Sequence, residues 1–333
     1  MPTRPGLRAH MAACLLAALA VGCDTTGPPA DAPLDTDAVL ADYGAVEGLL
    51  ATGAFEALRA LGGRTPFSGA PAGAGPTAAP IISDTHRGVT FVYDPDADEY
   101  VVDPEREGAP PTGVRFVLYE VDVAGLPQVD EEIGYADLVD EGDGSAEDVV
   151  LHLTVFAHGR TALDYRTTLD IGLLWGEVGV LGFLEGEDGA RLDFDIAARG
   201  EQSTAGGTLD VDFEMGVEGR GFSISGSVSG AEDGDEGEGD VQLTVVHRRH
   251  RLDVDMRGAS GQLDGTIFLD GEPFALVSGD ADAPTIVSGD GDPLTFEEVL
   301  VLRRVVDTVE DVFDFLEDLV DPVDDLVLAG IIL

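Results

Sequence analysis

Three copies of one alternating pattern indicate the fold of this chain: RLDFDI (191–196), TLDVDF (208–213) and RLDVDM (251–256). Because successive side chains of a β-strand point to opposite faces, the apolar residues of each copy share one face and the aspartates share the other. Burial of a single face is typical of antiparallel sheets. The pattern therefore predicts an antiparallel sheet with one apolar side and one acidic side.

Strand signals continue over most of the chain. Residues 89–93 and 100–102 flank a turn-forming Asp-Pro-Asp-Ala-Asp segment and predict a hairpin, and residues 114–121 predict another strand. Turn signals recur at Asp188-Gly189, Gly206-Gly207, Ala231 to Gly239, Asp264-Gly265 and Asp270-Gly271. We predict a mainly β fold: a large, curved antiparallel meander sheet of about 10–12 strands between Val89 and Val287, open like a half barrel.

Two amphipathic stretches flank the predicted sheet. Apolar residues recur at helical spacing within 36–62, which predicts a shorter N-terminal helix. Thr295 and Glu298 match a capping box, and apolar residues then step by three and four to Val320. The apolar stripe of this C-terminal helix (295–320) is wider than a coiled-coil seam, so we expect the helix to cover the sheet.

The N-terminus has the features of an export signal. Arg4 and Arg8 precede an uncharged apolar run at 11–21, which is too short to span a bilayer. The run ends in small residues directly before Cys23. In these residues the chain resembles bacterial lipoprotein precursors, and the resemblance covers about the first 25 residues.

The resemblance implies cleavage before Cys23 and acylation of this cysteine. Diacylglycerol would modify its sulfur and usually a further acyl chain its amine, and two or more chains give stable anchoring. Cys14 lies inside the signal, so Cys23 is the only cysteine of the mature chain, which excludes an internal disulfide. The alternative is an ordinary secretory signal that is cleaved near Cys23. The resemblance places the exported protein at a bacterial membrane, on the periplasmic side or the cell surface.

The predicted organisation therefore has five segments. Residues 1–22 are a lipoprotein signal peptide, residues 23–35 a tether and residues 36–62 the N-terminal helix. Residues 63–87 are rich in Gly, Ala and Pro and are predicted to be a linker. The β-rich domain, with the C-terminal helix, occupies 88–333. Its apolar tail after Leu326 is too short to span a bilayer.

The charge of the chain excludes several functions. The 333 residues include 65 acids and 18 basic residues, for a net charge of −47, and all 18 are arginines. Without lysine, a Walker A phosphate loop and Schiff-base catalysis are impossible. A chain this acidic would be repelled by the phosphate backbone of a nucleic acid. We therefore expect no nucleic-acid partner.

The only cluster of positive charge consists of His247, Arg248, Arg249, His250 and Arg251. We call it the Arg/His cluster. Arginine binds phosphate and carboxylate groups through paired hydrogen bonds, so the cluster is a candidate site for an anionic ligand or a lipid headgroup. The alternative is that it neutralises neighbouring acids such as Asp253 and Asp255. We expect no metal between the two histidines, because residues three apart in a strand face opposite sides.

A weaker candidate is a calcium loop. Its ligands would be Asp94, Asp96, Asp98 and Glu105, which match positions of an EF-hand loop. Glu99 stands where that loop requires glycine, and strands flank the segment, so a simple hairpin turn is the alternative. Calcium is the only cofactor that the sequence suggests.

The sequence contains no Gly-x-Ser-x-Gly elbow, His-Glu-x-x-His helix or Cys-x-x-Cys pair, so nothing in it favours an enzyme. We expect a lipid-anchored envelope protein with a binding or structural role, and an envelope protein or a lipid as partner. The alternative is a carrier of a lipid or another apolar ligand. The LolA and LolB lipoprotein carriers have a similar predicted architecture, a curved sheet closed by a helix, but no carrier motif is matched.

Overall fold

A computed structural model describes residues 34–62, 64, 82–142, 148–172, 174–203, 206–233, 236–281, 283–289 and 293–332. The predicted signal peptide, Cys23, nearly all of the tether and most of the linker lie outside the described residues. The described chain is mainly β, with one open sheet of fifteen strands and three helices.

The strands follow one another in the sheet nearly in chain order, from β15 at one edge to β1 and β2 at the other. Their bounds are Val89–Asp94 (β1), Glu99–Val102 (β2), Gly113–Val121 (β3), Pro127–Asp140 (β4), Asp148–Ala157 (β5), Arg160–Ile171 (β6), Trp175–Glu185 (β7), Arg191–Gln202 (β8), Gly206–Val217 (β9), Phe222–Asp233 (β10), Glu236–His247 (β11), His250–Ala259 (β12), Gln262–Leu269 (β13), Glu272–Asp280 (β14) and Thr285–Ser288 (β15). The predicted open meander is confirmed, although the strands are more numerous than expected and β1 pairs with β3 in parallel.

The three repeated hexapeptides lie in β8, β9 and β12. In β8, for example, Leu192 and Phe194 are buried whereas Asp193 and Asp195 are exposed. The alternation predicted for these repeats is therefore confirmed.

Two of the predicted turns are wrong, since Gly206-Gly207 begins β9 and Asp264-Gly265 lies inside β13. The second error has a packing reason. A Cβ at Gly265 would lie 2.5 Å from the carbonyl oxygen of Asp255 and 2.8 Å from the Cα of Met256 on the neighbouring strand β12. Only glycine allows this close approach of two backbones, so the residue serves the strand rather than a turn.

The N-terminal helical region consists of two helices, Thr36–Leu50 (α1) and Gly53–Leu61 (α2). They are separated at Thr52, which has an extended backbone and whose carbonyl accepts hydrogen bonds from the first turn of α2. The predicted single helix is thus interrupted at Thr52, directly before Gly53, which is a poor helix former.

The C-terminal helix, Phe296–Ile332 (α3), packs on the sheet as predicted through its residues up to Val320. Its capping box is confirmed, because the Thr295 N–H donates to Glu298 Oε2 (2.7 Å) and the Glu298 N–H donates to Thr295 Oγ1 (3.2 Å). The helix does not end near Val320 but continues through Pro322 to Ile332. A proline inside a helix removes one hydrogen bond and crowds the preceding turn, which ends many helices but does not end this one.

The chain divides into two compact units. Of the described residues, the first unit contains those up to Gly44, those within 173–176 and those within 196–309, and the second contains those within 45–172, 177–195 and 310–333. In the first unit, Val301, Leu302 and Val305 of α3 are fully buried, as are Ile267 and Val277 of the sheet.

An aromatic cluster forms the core of the second unit. The ring of Phe315 in α3 lies 5.1 Å from the ring of Phe194 in β8 and 5.8 Å from that of Phe55 in α2, measured between centroids. The Tyr165 hydroxyl donates to the carbonyl oxygen of Leu319 (2.6 Å), which satisfies the only polar atom of a fully buried side chain. Complete burial raises the pKa of Tyr165, so it remains a neutral donor.

Candidate functional site

The Arg/His cluster surrounds the two-residue turn between β11 and β12, in the first unit. Arg248 and Arg249 form the turn, and His247 and His250 are directly opposite each other as its flanking strand residues. Both histidines are buried. The expectation that they face opposite sides was wrong, because it assumed one continuous strand, whereas residues paired across a hairpin share a face.

His247 contacts a buried carboxylate from the N-terminal helix. Its Nδ1 lies 2.8 Å from Oδ2 of Asp42 in α1, and the other carboxylate oxygen of Asp42 accepts a hydrogen bond from Arg220 (3.1 Å). The exposed fractions are 6% for Asp42 and 2% for His247. We call these three residues the helix clasp, since they join α1 to two hairpin turns of the sheet.

Aromatic packing completes the attachment of α1. Tyr43 follows Asp42, and its ring meets Phe222 of β10 edge to face at a centroid distance of 5.2 Å. The side-chain hydroxyl of Thr308 in α3 donates to the Tyr43 hydroxyl (3.2 Å). The first turns of α1 are therefore held by the sheet and by α3 together.

The rest of the cluster also pairs with acids. His250 Nδ1 lies 2.9 Å from Asp270 Oδ2, and Arg251 Nε donates to Asp253 Oδ1 (2.7 Å). The Arg248 guanidinium lies 3.7 Å from the carboxylate of Asp35, just before α1. The interpretation that the cluster neutralises acids close to it in sequence thus holds for Asp253. The main partner of His247, in contrast, is Asp42, which is distant in sequence.

These contacts limit what the cluster can bind. The Nε2 of His247 is buried and has no hydrogen-bond partner among the described residues, so it is closed to a ligand from solvent. Of the three arginines in the cluster, only Arg248 and Arg249 present guanidinium groups to solvent without a close ion pair to a described residue. The side chain of Arg248 is 61% exposed. A ligand of this cluster must therefore be an anion that approaches the turn from outside.

Sequence reasoning missed Asp42, although the chain contains a signal for it. Val39, Tyr43 and Val46 mark the apolar stripe of α1, and Asp42 lies three residues after Val39 on the same stripe. A charged residue on the buried face of a helix needs a partner of opposite charge. The arginines and histidines elsewhere in the sequence are the residues that could supply this charge.

The calcium candidates lie in two separate turns. Asp94, Asp96 and Asp98 are in the β1–β2 hairpin, whereas Glu105 is beyond β2 in a turn where its N–H donates to Asp103. Asp98 accepts hydrogen bonds from the Tyr93 hydroxyl (2.7 Å) and from Arg64 Nε (2.9 Å), which lower the pKa of Asp98. Within the described ranges, no group of three or more His, Cys, Asp or Glu side chains is arranged to hold a metal ion.

A second polar group, on strands of the second unit, was also missed. His152 of β5 lies between Glu141 (3.2 Å) and Asp164 (2.9 Å), and Arg166 donates to Glu141 through Nε (2.8 Å). The hydrogen bond from Arg166 lowers the pKa of Glu141. The group lies on the solvent face of the sheet, where such ion pairs contribute little to stability.

The acidic face of the first unit carries one aspartate that opposes folding. Burial raises the pKa of Asp255, and the carboxylates of Asp240 and Asp253 raise it further. Asp253 is two residues away on the same strand, and Asp240 is a diagonal neighbour on β11. A raised pKa means that the folded state disfavours the ionised form, so stability falls as the pH rises through the folded-state pKa of Asp255.

We therefore expect Asp255→Asn to stabilise the protein at neutral pH by roughly 0.5 kcal/mol, the scale of one repulsive surface pair. The gain should disappear below about pH 3.5, where the aspartate is protonated in both states. Thermal melting of both proteins at the two pH values measures the effect. Asp264→Asn, which neutralises an exposed aspartate of β13, is the matched control. Equal stabilisation by both variants would contradict a specific role of Asp255.

Comparison with known proteins assigns the chain to no class: no protein-family model matches it, and neither a curated protein nor a solved structure is significantly similar. Among the described helices, none is both long enough and apolar enough to cross a membrane.

Proposed function

We propose that this protein is a lipid-anchored component of a bacterial cell envelope, attached through acyl chains on Cys23. The observation that carries the proposal is the sequence before Cys23: two arginines, an apolar run of export-signal length and small residues directly before the cysteine. Cysteine usage supports it, because a lone cysteine in an exported chain has no internal disulfide to form.

We propose further that the role is binding or structural rather than enzymatic. Two of the histidines that could act as general bases are buried and paired with aspartates, His247 with Asp42 and His250 with Asp270. A general base must reach its substrate within hydrogen-bond distance. Such pairs stabilise the attachment of secondary-structure elements, which suits a scaffold.

Substitution of Cys23 tests the anchor. Cys23→Ala should abolish labelling of the protein by radioactive fatty acid and should release it from membranes, because the substitution removes the sulfur that receives the diacylglycerol and the cysteine that this processing requires. Labelling and membrane fractionation in a bacterial host measure both effects. Cys14→Ala, within the predicted signal, is the matched control and should label like the wild type. Persistent labelling of Cys23→Ala would refute the assignment.

Mass spectrometry of the mature N-terminus separates the anchor from an ordinary secretory signal. An N-terminal peptide that begins with a diacylglyceryl-modified Cys23 supports the anchor, whereas a free thiol at the same position supports simple secretion. A lipid that co-purifies in stoichiometric amount with a form lacking residues 1–23 would instead favour the carrier.

A further inference from the structure

We propose that the turn formed by Arg248 and Arg249 is the membrane-facing surface of the first unit and that its guanidinium groups contact the phosphates of the lipid headgroups. This inference rests on the proposed anchor at Cys23. It names the surface that the anchored protein presents to the bilayer, and the chemistry of the partner is that of lipid phosphate.

The point where the chain enters the first unit is the first argument. Asp35 lies 3.7 Å from Arg248, so the described chain begins beside this turn. Cys23 precedes Asp35 by twelve residues, which span at most about 42 Å even when fully extended. Acyl chains on Cys23 therefore keep this end of the unit within that distance of the bilayer, and the helix clasp prevents α1 from moving away from the turn.

The second argument is the distribution of charge along the β11–β12 hairpin. Strand β11 runs from Glu236 to His247, so its first residue and the arginine turn are at opposite ends. The sequence at the β10–β11 connection, 232–240, contains six acids. Bacterial membranes with anionic lipids repel acidic segments and attract arginine. Both forces direct the arginine turn toward the bilayer and the acidic end away from it.

The third argument is the availability of the two arginines. Arg249 is exposed and has no carboxylate within ion-pair distance among the described residues, and Arg248 has only the 3.7 Å contact with the exposed Asp35. Guanidinium groups form paired hydrogen bonds with phosphate oxygens. By contrast, Arg220 and Arg251 at the same end pair with Asp42 and Asp253 at 3.1 Å or less.

Energy transfer from single labelled cysteines to the bilayer tests the proposal. After loss of Cys14 with the signal and acylation of Cys23, an introduced cysteine is the only free thiol. Glu218→Cys places a donor dye in the β9–β10 turn, whose Gly221 carbonyl accepts the Arg248 N–H, and Ser260→Cys places it in the turn at the far end of β12. The lipidated protein is reconstituted in vesicles of phosphatidylethanolamine and phosphatidylglycerol that contain a headgroup-labelled acceptor lipid.

We expect transfer from position 218 to exceed transfer from position 260 by about twofold or more, because β12 separates the two ends by roughly 33 Å. In the double variant Arg248→Gln/Arg249→Gln the difference should shrink, because the anchor remains but the contacts with lipid phosphate are gone, and in Arg248→Lys/Arg249→Lys it should persist in full. Arg199→Gln/Arg257→Gln, which removes two exposed charges elsewhere in the same unit, is the control and should retain the difference.

Each outcome distinguishes the two proposals. Mass spectrometry of the purified protein comes first, and an unmodified Cys23 would overturn the anchor and this inference together. If Cys23 is acylated but both positions transfer equally, only the membrane-facing turn is overturned. The inference is also overturned if the difference is undiminished in the glutamine double variant, since these arginines would then make no contact with lipid phosphate.

Discussion

Phe315→Ala should lower the free energy of unfolding by about 3–5 kcal/mol, the range for removal of a buried aromatic ring. Phe315 is 3% exposed, and its ring contacts those of Phe55 and Phe194. Three elements of the second unit meet at this ring, so its loss leaves a cavity that none of them can fill alone. The two remaining rings also lose an aromatic contact.

Urea denaturation followed by circular dichroism measures this effect, and the midpoint should fall without a change in the slope of the transition. Asp314→Ala, at the preceding exposed position of α3, is the matched control, and its effect should stay within about 0.5 kcal/mol. Destabilisation of the two variants by the same amount would show that Phe315 is not part of a core.

Asp42→Ala should destabilise the protein by about 3–5 kcal/mol, because it leaves a buried hydrogen-bonding group without a partner and removes a charged hydrogen-bond acceptor. His247 would then remain buried beside an apolar side chain, with neither ring nitrogen satisfied by a described residue. Arg220 would lose its carboxylate as well. The cost should appear as detachment of α1, detected by increased amide hydrogen exchange at Val39 and Tyr43 and by a lower melting temperature.

Two further variants separate the contribution of the helix clasp to stability from that of α1 as a whole. Asp37→Ala changes an exposed acid in the first turn of the same helix and should cost less than about 1 kcal/mol. The double variant Asp42→Leu/His247→Leu replaces both buried polar groups by apolar ones and should recover a large part of the stability lost by Asp42→Ala. Without such recovery, the unsatisfied histidine would not be the cause of the loss.

The arrangement of much of the sheet could be predicted because the same local rule acts in strands such as β8, β9 and β12. The repeats at 191–196 and 251–256 need only alternate to define their buried faces, and the outcome does not depend on which strand lies beside them. Gly265 shows the limit of this reasoning. Its role depends on how closely the backbone of β12 approaches, and no property of the residues next to Gly265 in sequence records that distance.

The contacts of the candidate site could not be predicted in the same way, because they join residues that are remote in sequence. The cluster at 247–251 was visible as an anomaly of charge, yet its principal partner, Asp42, is 205 residues from His247. The position of Asp42 on an apolar helix stripe indicates that a partner exists but does not identify it. Only the topology, which brings α1 beside two hairpin turns, determines which basic residues Asp42 contacts.

The docking of α1 also has a consequence for the order of folding. Tyr43 is 265 residues from Thr308, the residue of α3 whose hydroxyl binds it, so α1 leaves the ribosome long before its binding surface exists. Contacts between residues so far apart in sequence form slowly, and apolar surfaces that are not yet packed are prone to aggregation in the meantime. The acidic side of strands such as β8, β9 and β12 is then an advantage before the fold is complete, because mutual repulsion keeps incomplete chains apart until the C-terminal helix packs on the sheet.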